Sequence, residues 1–268
     1  MPIAQAGDVR LDYQRSGSGP PLLLIMGMSG TAKHWGEPFL ELLREEFEVI
    51  TYDHRGVGKS DPVGEAFSIA DLAGDATALL QALEIESAHV MGISMGGMIA
   101  QELALADQER IRTLVLGCTY CGGEGSALTG EAVMQKLAAG MSSGEREQAV
   151  RSAWEVNVSP PFAAIAEAYE AFLQIGLTNA VSVAVIMRQM QAIMGHNTSE
   201  RLGELKVPTL VIHGTSDEML PVANGQLISS LIPGSTLEIF EGVGHLFFWE
   251  RPRESAALVC AHAAAHVL

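Results

Sequence analysis

The sequence predicts an α/β protein built on a mostly parallel β-sheet with helices on both faces. Apolar runs alternate with segments of helical spacing along most of the chain, which is typical of that class. Several of the runs are continuously apolar, as expected of strands that are covered on both sides. With 268 residues, 48% of them hydrophobic, the chain is long enough to form a deep core.

The elements follow in order. An alternating segment, "VRLDYQR", predicts an edge strand that "SGSGPP" ends. Further strands are predicted at "LLLIMG", "FEVITYD", "AHVMGIS", "IRTLVLGC", "VPTLVIHG" and "STLEIFEG". Apolar spacing predicts helices at "LAGDATALLQALEI", at "MGGMIAQELALA" and at the C-terminal "RESAALVCAHAAAHVL".

The alternation is interrupted once, between residues 124 and 205, where no convincing strand is present. This span is predicted to form several helices, with a break at "SPP". Ligands bind at the carboxyl edge of parallel sheets, so we predict that 124–205 is a helical cap over that edge. Residues 1–123 and 206–268 would then form the core domain.

Five methionines fall within the predicted cap: Met134, Met141, Met187, Met190 and Met194. Ordinary helix packing explains such a set. A flexible apolar wall for a substrate is the alternative, and the two can hold on different helix faces.

Charge and composition exclude several classes of partner. The net charge is −16, with 16 Lys and Arg against 32 Asp and Glu, so the surface repels phosphate backbones and nucleic-acid binding is not expected. No apolar stretch reaches about 18 residues, so no membrane partner is expected. The N-terminus shows no basic start followed by an apolar run, and the predicted location is therefore cytoplasmic.

The three cysteines, Cys118, Cys121 and Cys260, do not suggest a disulfide framework and suit a reducing compartment. Cys118 and Cys121 have the spacing of a redox or zinc pair. No second pair or nearby histidine completes a ligand set, so no metal site is predicted. Cys118 is instead expected to end a buried strand.

A serine between two glycines stands at a strand-to-helix junction, in "GISMG", residues 92–96. Such a sharp turn forces Ser94 into a strained backbone conformation, while Gly92 and Gly96 let the strand and helix approach closely. The turn would hold Ser94 Oγ at the top of the sheet, where the helix N-terminus favours developing negative charge. Ser94 is the predicted nucleophile.

A serine hydroxyl needs a histidine base that is oriented by a carboxylate. His245, in "EGVGHLFFWE", follows the last predicted strand on a glycine-flanked loop. Asp217, in "VIHGTSDEMLP", follows the preceding strand, and Glu218 is the alternative acid. The chain order is therefore serine, aspartate, histidine.

Five segments in this order resemble the α/β-hydrolase family: "LLLIMGMSG", "YDHRGVGKSD", "GISMGG", "VPTLVIHGTSDEMLP" and "GVGHLFFWERP". The resemblance implies an eight-stranded sheet, a catalytic triad of Ser94, Asp217 and His245, and an oxyanion hole formed by the backbone N–H groups of Met28 and Met95. The family often has His-Gly after the strand that "LLLIMG" resembles, whereas this chain has Met26-Gly27.

The other candidates are weaker. The predicted substrate pocket contains Gly27, Trp35, Met141, Met187, Met190 and Leu246. His54 and Arg55 either contact substrate or belong to a loop that is held by Arg55 hydrogen bonds, which is the favoured interpretation. Lys33 and His34 either line the pocket or face solvent, and Phe248 either lines the pocket or belongs to the core. His213 is predicted in the core. His262 and His266 are predicted to lie away from the site.

A serine at the turn favours acyl transfer, because haloalkane dehalogenases and epoxide hydrolases of similar layout use an aspartate there. We expect a serine hydrolase that cleaves esters of small to medium acyl groups, with lactones as the alternative. Carbon–carbon hydrolysis, perhydrolysis and a ligand-receptor role are less favoured. No metal or organic cofactor is expected. The expected partner is a small ester or lactone, and a homodimer is left open.

Overall fold

One eight-stranded sheet organises the computed structural model, which describes residues 2–266. Its strands are β1 (Ile3–Ala6), β2 (Val9–Ser16), β3 (Pro21–Ile25), β4 (Glu48–Tyr52), β5 (Ala88–Ile93), β6 (Ile111–Gly117), β7 (Thr209–Gly214) and β8 (Thr236–Phe240). They lie in the order β1-β2-β4-β3-β5-β6-β7-β8. β2 pairs antiparallel with both β1 and β4, and every other pair is parallel. The predicted mostly parallel sheet of eight strands is confirmed.

Eleven α-helices occur within the described residues: α1 (Glu37–Arg44), α2 (Ile69–Ala82), α3 (Met95–Ala106), α4 (Glu131–Ser142), α5 (Arg146–Asn157), α6 (Pro160–Ala163), α7 (Ala166–Thr178), α8 (Val183–Met194), α9 (Ala223–Leu231), α10 (Phe247–Glu250) and α11 (Pro252–Ala264). The predicted C-terminal helix is thus present, although its last two predicted positions, 267 and 268, lie outside the described residues, as does position 1 of the predicted core domain.

The sheet separates two hydrophobic clusters. On β3, Leu23 and Ile25 belong to the cluster that includes apolar residues of α2, α3 and α9. Leu22 and Leu24 face the opposite cluster, with residues of α1 and α11. Side chains alternate along a strand, so a continuously apolar run such as "LLLI" supplies both clusters, and helices cover both faces as predicted.

The predicted edge position of "VRLDYQR" is wrong. This segment is β2, which lies between β1 and β4, and β1 forms the edge instead. β1 has only four residues, "IAQA", two of which are alanines. A strand so short and so poor in β-branched or aromatic residues gives little sequence signal.

Five helices, α4 to α8, lie between β6 and β7 in the chain, within the span predicted as a cap. Pro160 opens α6, at the predicted "SPP" break, where a proline is compatible with a helix start. The segment packs on the rest of the chain through aromatic side chains: Trp154 of α5 and Phe172 of α7 both contact Trp249 of α10, with ring centroids 5.8 and 5.6 Å apart.

Among residues 2–266, no single helix is long and apolar enough to cross a membrane. The pair α7 and α8 reaches that length and composition together, but the two helices are bent by 106° at the break between them.

Buried histidines make stability depend on pH. His89 on β5 and His196 after α8 are both buried, and burial lowers the pKa of each to about 4. The unfolded chain binds these protons near pH 6.5, so it holds more protons than the folded chain between about pH 6.5 and 4. Burial acts oppositely on Asp53, raising its pKa to about 6, and offsets part of the effect.

We therefore expect the free energy of unfolding to fall as the pH drops from about 6.5 to 4. Each such histidine contributes up to about 1.4 kcal/mol per pH unit. Urea unfolding of the wild type and of His196→Gln at pH 7, 6, 5 and 4.5 measures this. In the variant, the free energy of unfolding should change less steeply with pH, by the equivalent of up to one bound proton. An unchanged slope would contradict the low pKa of His196.

Candidate active site

The three predicted triad residues follow neighbouring strands. Ser94 comes directly after β5, Asp217 lies three residues after β7, and His245 lies on the loop after β8. The carboxyl ends of parallel strands meet at one edge of a sheet, which is where these side chains are expected. His245 Nδ1 lies 2.7 Å from Asp217 Oδ2, and both residues are buried. The structure therefore joins the predicted base and acid directly.

Ser94 has the backbone conformation that the G-x-S-x-G pattern predicts. Its φ is 57° and its ψ is −123°, a strained region for a residue with a side chain. A Cβ atom on Gly96 would lie 1.9 Å from the Ile25 carbonyl oxygen, and one on Gly92 would lie 2.1 Å from the Gly96 oxygen. Only glycine fits these positions, so the two glycines permit the close crossing of β3, β5 and α3.

The turn is also held by hydrogen bonds. Ser94 N–H donates to the Gly117 carbonyl of β6 over 3.0 Å, and the Thr119 hydroxyl donates to the Ser94 carbonyl over 2.7 Å. Ser94 is partly exposed, in contrast to the buried residues on either side of it. Its side chain is thus accessible on a rigid support.

Asp217 is stabilised as a carboxylate. Its Oδ1 accepts the N–H groups of Met219 and Leu220, over 2.8 and 2.9 Å. Burial raises the pKa of Asp217, but the positive charge that His245 can carry and the hydrogen bonds from His213 and His245 outweigh it. The net result is a pKa well below the usual range. The side chain is fully buried, yet it keeps its charge.

His213 is a second histidine on the same carboxylate, which the sequence did not reveal. It is fully buried on β7, as predicted, and its Nε2 lies 3.2 Å from Asp217 Oδ2 and 2.8 Å from the Leu220 carbonyl oxygen. Both neighbours are acceptors, so Nε2 carries the proton. Glu218, the alternative acid, is exposed, whereas Asp217 contacts the base.

The loop after β3 lies against Ser94. A Cβ atom on Gly27 would be 3.1 Å from Ser94 Cβ and 3.7 Å from its Oγ. Within the described chain, the N–H groups of Met28 and Met95 donate to no hydrogen-bond acceptor. Two free N–H groups that flank a nucleophile are what an oxyanion hole requires. They stay the predicted donors.

His54 and Arg55 support this loop rather than facing a ligand. Buried His54 has its Nε2 2.8 Å from the carbonyl oxygen of Met26, the residue before Gly27. Arg55 pairs with Asp75 of α2 through two hydrogen bonds of 2.7 and 2.5 Å. The favoured interpretation, a loop held by Arg55, agrees with this geometry.

A glutamine from α8 reaches the same loop. Ser29, whose φ is 59°, donates its N–H to Gln189 Oε1 over 2.9 Å, although the residues are 160 positions apart. Gln189 has no exposed surface, and its Nε2 is a buried donor without a partner among residues 2–266. Buried donors are nearly always paired, so this amide requires an explanation.

Several predicted pocket residues lie elsewhere. Trp35 is fully buried and packs on Phe39 and Phe248, with ring centroids 6.0 and 4.8 Å apart, so Trp35 and Phe248 are core residues. Met187 is 55% exposed, and it lines an outer depression of about 660 Å³. Met190 lines the same depression. Periodicity indicates that a helix has an apolar face but not which neighbour that face contacts.

Of the remaining candidates, Met141 is exposed on α4, while Leu246 is buried beside His245. Lys33 is exposed. His34 Nδ1 accepts the Thr31 N–H over 2.9 Å, and its ring lies edge-on to Phe172 of α7. The two C-terminal histidines lie on or just after α11, where His262 contacts the Pro208 carbonyl and His266 is exposed.

One group within residues 2–266 could offer three metal ligands: Cys118, Asp217 and His245, whose ligand atoms lie within 4.8 Å of one another. The donor chemistry fits a metal poorly. Burial and the nearby Asp217 charge raise the pKa of the Cys118 thiol well above its usual value, which disfavours the thiolate. Asp217 and His245 are already bonded to each other.

Comparison with known proteins agrees with this arrangement. The family model of the alpha/beta hydrolase fold matches residues 20–252. A putative carbamate hydrolase RutD of Azorhizobium caulinodans is 31% identical over 252 residues, which is 92% of each chain. A 2-hydroxy-6-oxononadienedioate/2-hydroxy-6-oxononatrienedioate hydrolase of Paraburkholderia xenovorans is 29% identical, over 94% of this chain and 90% of the relative.

A solved structure, described as Est816, an N-acyl homoserine lactone degrading enzyme, superposes with a TM-score of 0.77 at 28% identity. The match covers 97% of this chain and 99% of Est816. These relatives act on different substrates by their names, although they share the fold. Together with the sheet order and the strained serine turn, the family match shows that the chain belongs to the α/β-hydrolase family.

Proposed function

We propose that this protein is a serine hydrolase that cleaves carboxylic esters of small to medium acyl groups through an acyl-enzyme. The observation that carries the proposal is the strained, accessible Ser94 at the sheet edge that also holds the His245–Asp217 pair. A strained nucleophile at the same sheet edge as an oriented base is the arrangement that acyl transfer requires.

Each residue has a distinct role in the proposed reaction. Ser94 Oγ attacks the carbonyl carbon while His245 Nε2 accepts its proton. The N–H groups of Met28 and Met95 hydrogen-bond the tetrahedral oxyanion. The protonated His245 then gives its proton to the leaving alcohol. Water, activated by the same histidine, attacks the acyl-enzyme and releases the acid.

Asp217 supports both halves of the cycle. Its hydrogen bond to Nδ1 fixes the tautomer in which Nε2 is free to accept a proton, and its charge stabilises the imidazolium that forms. The low pKa of Asp217 keeps that charge at every pH at which the enzyme would work. His213, which donates to the same oxygen, holds the carboxylate in place.

The available cations argue against a diacid substrate such as the one in the Paraburkholderia relative's name. Arg188 on α8 donates to the carbonyl oxygens of Ala184 and Gly64, over 3.2 and 2.7 Å, and lines the outer depression with Met187. Arg55 is paired with Asp75. The Arg55 charge is compensated by Asp75, and the Arg188 guanidinium is held by carbonyl oxygens at the outer depression, so carbon–carbon hydrolysis of a diacid is less favoured.

Gln189 favours one second candidate, a lactonase that accepts an acylamino lactone. Its Nε2 is a buried donor next to the loop that carries Met28, and an amide oxygen of a substrate would satisfy it. The Est816 comparison is consistent with such a substrate. The Azorhizobium relative's name suggests a carbamate substrate. A carbamate is cleaved by the same attack on a carbonyl, so one is included among the test substrates below.

The first test is base uptake at pH 8, measured in a pH-stat for the wild type and Ser94→Ala. The panel contains p-nitrophenyl esters from acetate to decanoate, acyl-homoserine lactones and a simple carbamate. We expect the wild type to turn over the shorter esters and Ser94→Ala to lose at least about 10⁴-fold in kcat, because the nucleophile is gone.

The chain-length optimum of the esters would measure the pocket. If the enzyme turns over only the lactones or only the carbamate, that activity replaces ester hydrolysis as the proposed function. Turnover that persists in Ser94→Ala, or silence of the wild type on the whole panel, would contradict the proposed function.

A second test separates esters from lactones through Gln189→Leu. This substitution removes the amide while keeping similar volume, so an acylamino substrate loses the partner of its amide oxygen. If the lactone is a substrate, its kcat/KM should fall about tenfold more than that of p-nitrophenyl butyrate. Gln191→Leu, an exposed position on the same helix, is the matched control and should change neither. Equal losses for both substrates would rule out the acylamino contact.

A further inference from the structure

Glu250, at the end of α10, bonds two segments that are distant in sequence. Its Oε1 accepts the Gly244 N–H and the Ser159 N–H, each over 2.8 Å. Its Oε2 accepts the Ser159 hydroxyl over 2.5 Å. Gly244 directly precedes His245, and Ser159 lies between α5 and α6. One carboxylate thus ties the histidine loop to a junction within the predicted cap.

The same junction holds the other side of His245. Leu246 donates its N–H to the Asn157 carbonyl, the last residue of α5, over 2.8 Å. Both chain neighbours of the histidine are therefore bonded, directly or through Glu250, to residues 157–159. We call these three residues the cap junction.

The histidine loop and the cap junction are also in direct van der Waals contact. A Cβ atom on Gly244 would lie 2.7 Å from the backbone of Val158 and 2.8 Å from the nitrogen of Ser159. The histidine loop and the cap junction therefore touch backbone to backbone, with no side chain between them. A displacement of either segment has to move the other or break the Glu250 hydrogen bonds.

A general base must be held to within about 0.5 Å of its productive position, and rigid neighbours have to supply that precision. Asp217 fixes the Nδ1 edge of the His245 ring, but the backbone that carries the ring needs its own support. The hydrogen bonds of Glu250 to Gly244 N–H and to Ser159 are that support.

We propose that Glu250 is a positioning residue for His245, acting through the Gly244 N–H, and that the cap junction is part of the scaffold of the base. This inference rests on the proposed serine hydrolase function. It assigns to the predicted cap a role in proton transfer, in addition to covering the substrate.

Two substitutions at Glu250 separate hydrogen-bond geometry from charge. In Glu250→Gln, the amide oxygen can accept both N–H groups while the amide nitrogen donates to the Ser159 hydroxyl, which then acts as an acceptor. All three contacts survive without the charge. In Glu250→Ala, the N–H groups of Gly244 and Ser159 lose their acceptor, and the loop is free to shift.

The experiment uses the full-length protein and a fluorophosphonate probe, which labels Ser94 only as fast as His245 accepts its proton. Labelling rates per folded molecule, kcat and KM are measured for the wild type and both variants. Glu250→Ala should label about 10- to 100-fold more slowly, with kcat reduced to match and KM within about threefold, as expected of a misplaced base. Glu250→Gln should stay within about threefold of the wild type.

The matched control is Glu102→Ala. Glu102 is a carboxylate on α3 that pairs with Arg201 over 2.6 Å and has no contact with the histidine loop. Its loss should lower the melting temperature while leaving the labelling rate per folded molecule unchanged. Ser159→Ala, which removes only the hydroxyl contact, should change labelling less than threefold.

The outcomes are distinguishable. If the wild type does not react with the probe, the proposed function fails. If it reacts and folded Glu250→Ala reacts equally fast, the positioning role fails alone. If Glu250→Gln is as slow as Glu250→Ala, the charge of Glu250 matters and the geometric proposal is overturned. Should Glu250→Ala not fold, Glu250→Asp, whose side chain is one methylene shorter, replaces it with the same expected loss.

Discussion

The positive φ of Ser94 is the constraint on which the rest of the site depends. It costs of order 1–3 kcal/mol, and such strain persists only where the surroundings determine the backbone. Here they do, because Gly96 packs directly under the Ile25 carbonyl and the Ser94 backbone is bonded to β6 and to Thr119. The turn can be sharp because β5 lies at the centre of the sheet, between β3 and β6.

The same packing brings the other groups to the serine. Since β3 is the direct neighbour of β5, the loop after β3 passes beside Ser94, and Gly27 lets it do so without a side chain between them. β7 and β8 follow on the other side of β6 and deliver Asp217 and His245 from their carboxyl ends. Sheet order thus places nucleophile, oxyanion donors, acid and base along one edge without long excursions of the chain.

The sequence was sufficient for those parts of the site that local pattern determines. A glycine-flanked serine between two apolar segments is a local signal, and so are Asp217 and His245 in the loops after strands. The contact of His213 with Asp217 was missed although the two are only four residues apart, because it depends on how the loop after β7 turns back on the strand. Gln189 and Glu250 were missed because each acts through a distant partner: Ser29 and Gln189 are 160 residues apart, and Ser159 and Glu250 are 91 apart. No periodicity or spacing encodes such pairs.

The failures in the predicted pocket have a related cause. Trp35 and Met187 are apolar, which establishes that they avoid water on average but not what they face. Trp35 faces the core between the sheet and α11, and Met187 faces outward. Likewise, β1 has only four residues and Ile3 is its one β-branched residue, so it gives little strand signal and β2 was taken for the edge.

Two long-range contacts join the predicted cap to the catalytic loops. Gln189 ties α8 to the loop that carries the predicted oxyanion donor Met28, and Glu250 ties the cap junction to the loop that carries His245. Both segments belong to the same predicted cap. A cap movement that admits substrate would therefore act on the oxyanion donor and on the base at once. The two contacts differ in one respect. Both carboxylate oxygens of Glu250 accept hydrogen bonds, whereas Gln189 Nε2 is a donor without a partner among residues 2–266. An unpaired buried donor costs about 1–3 kcal/mol, so a substrate oxygen that bonds Gln189 Nε2 would stabilise α8 against this loop.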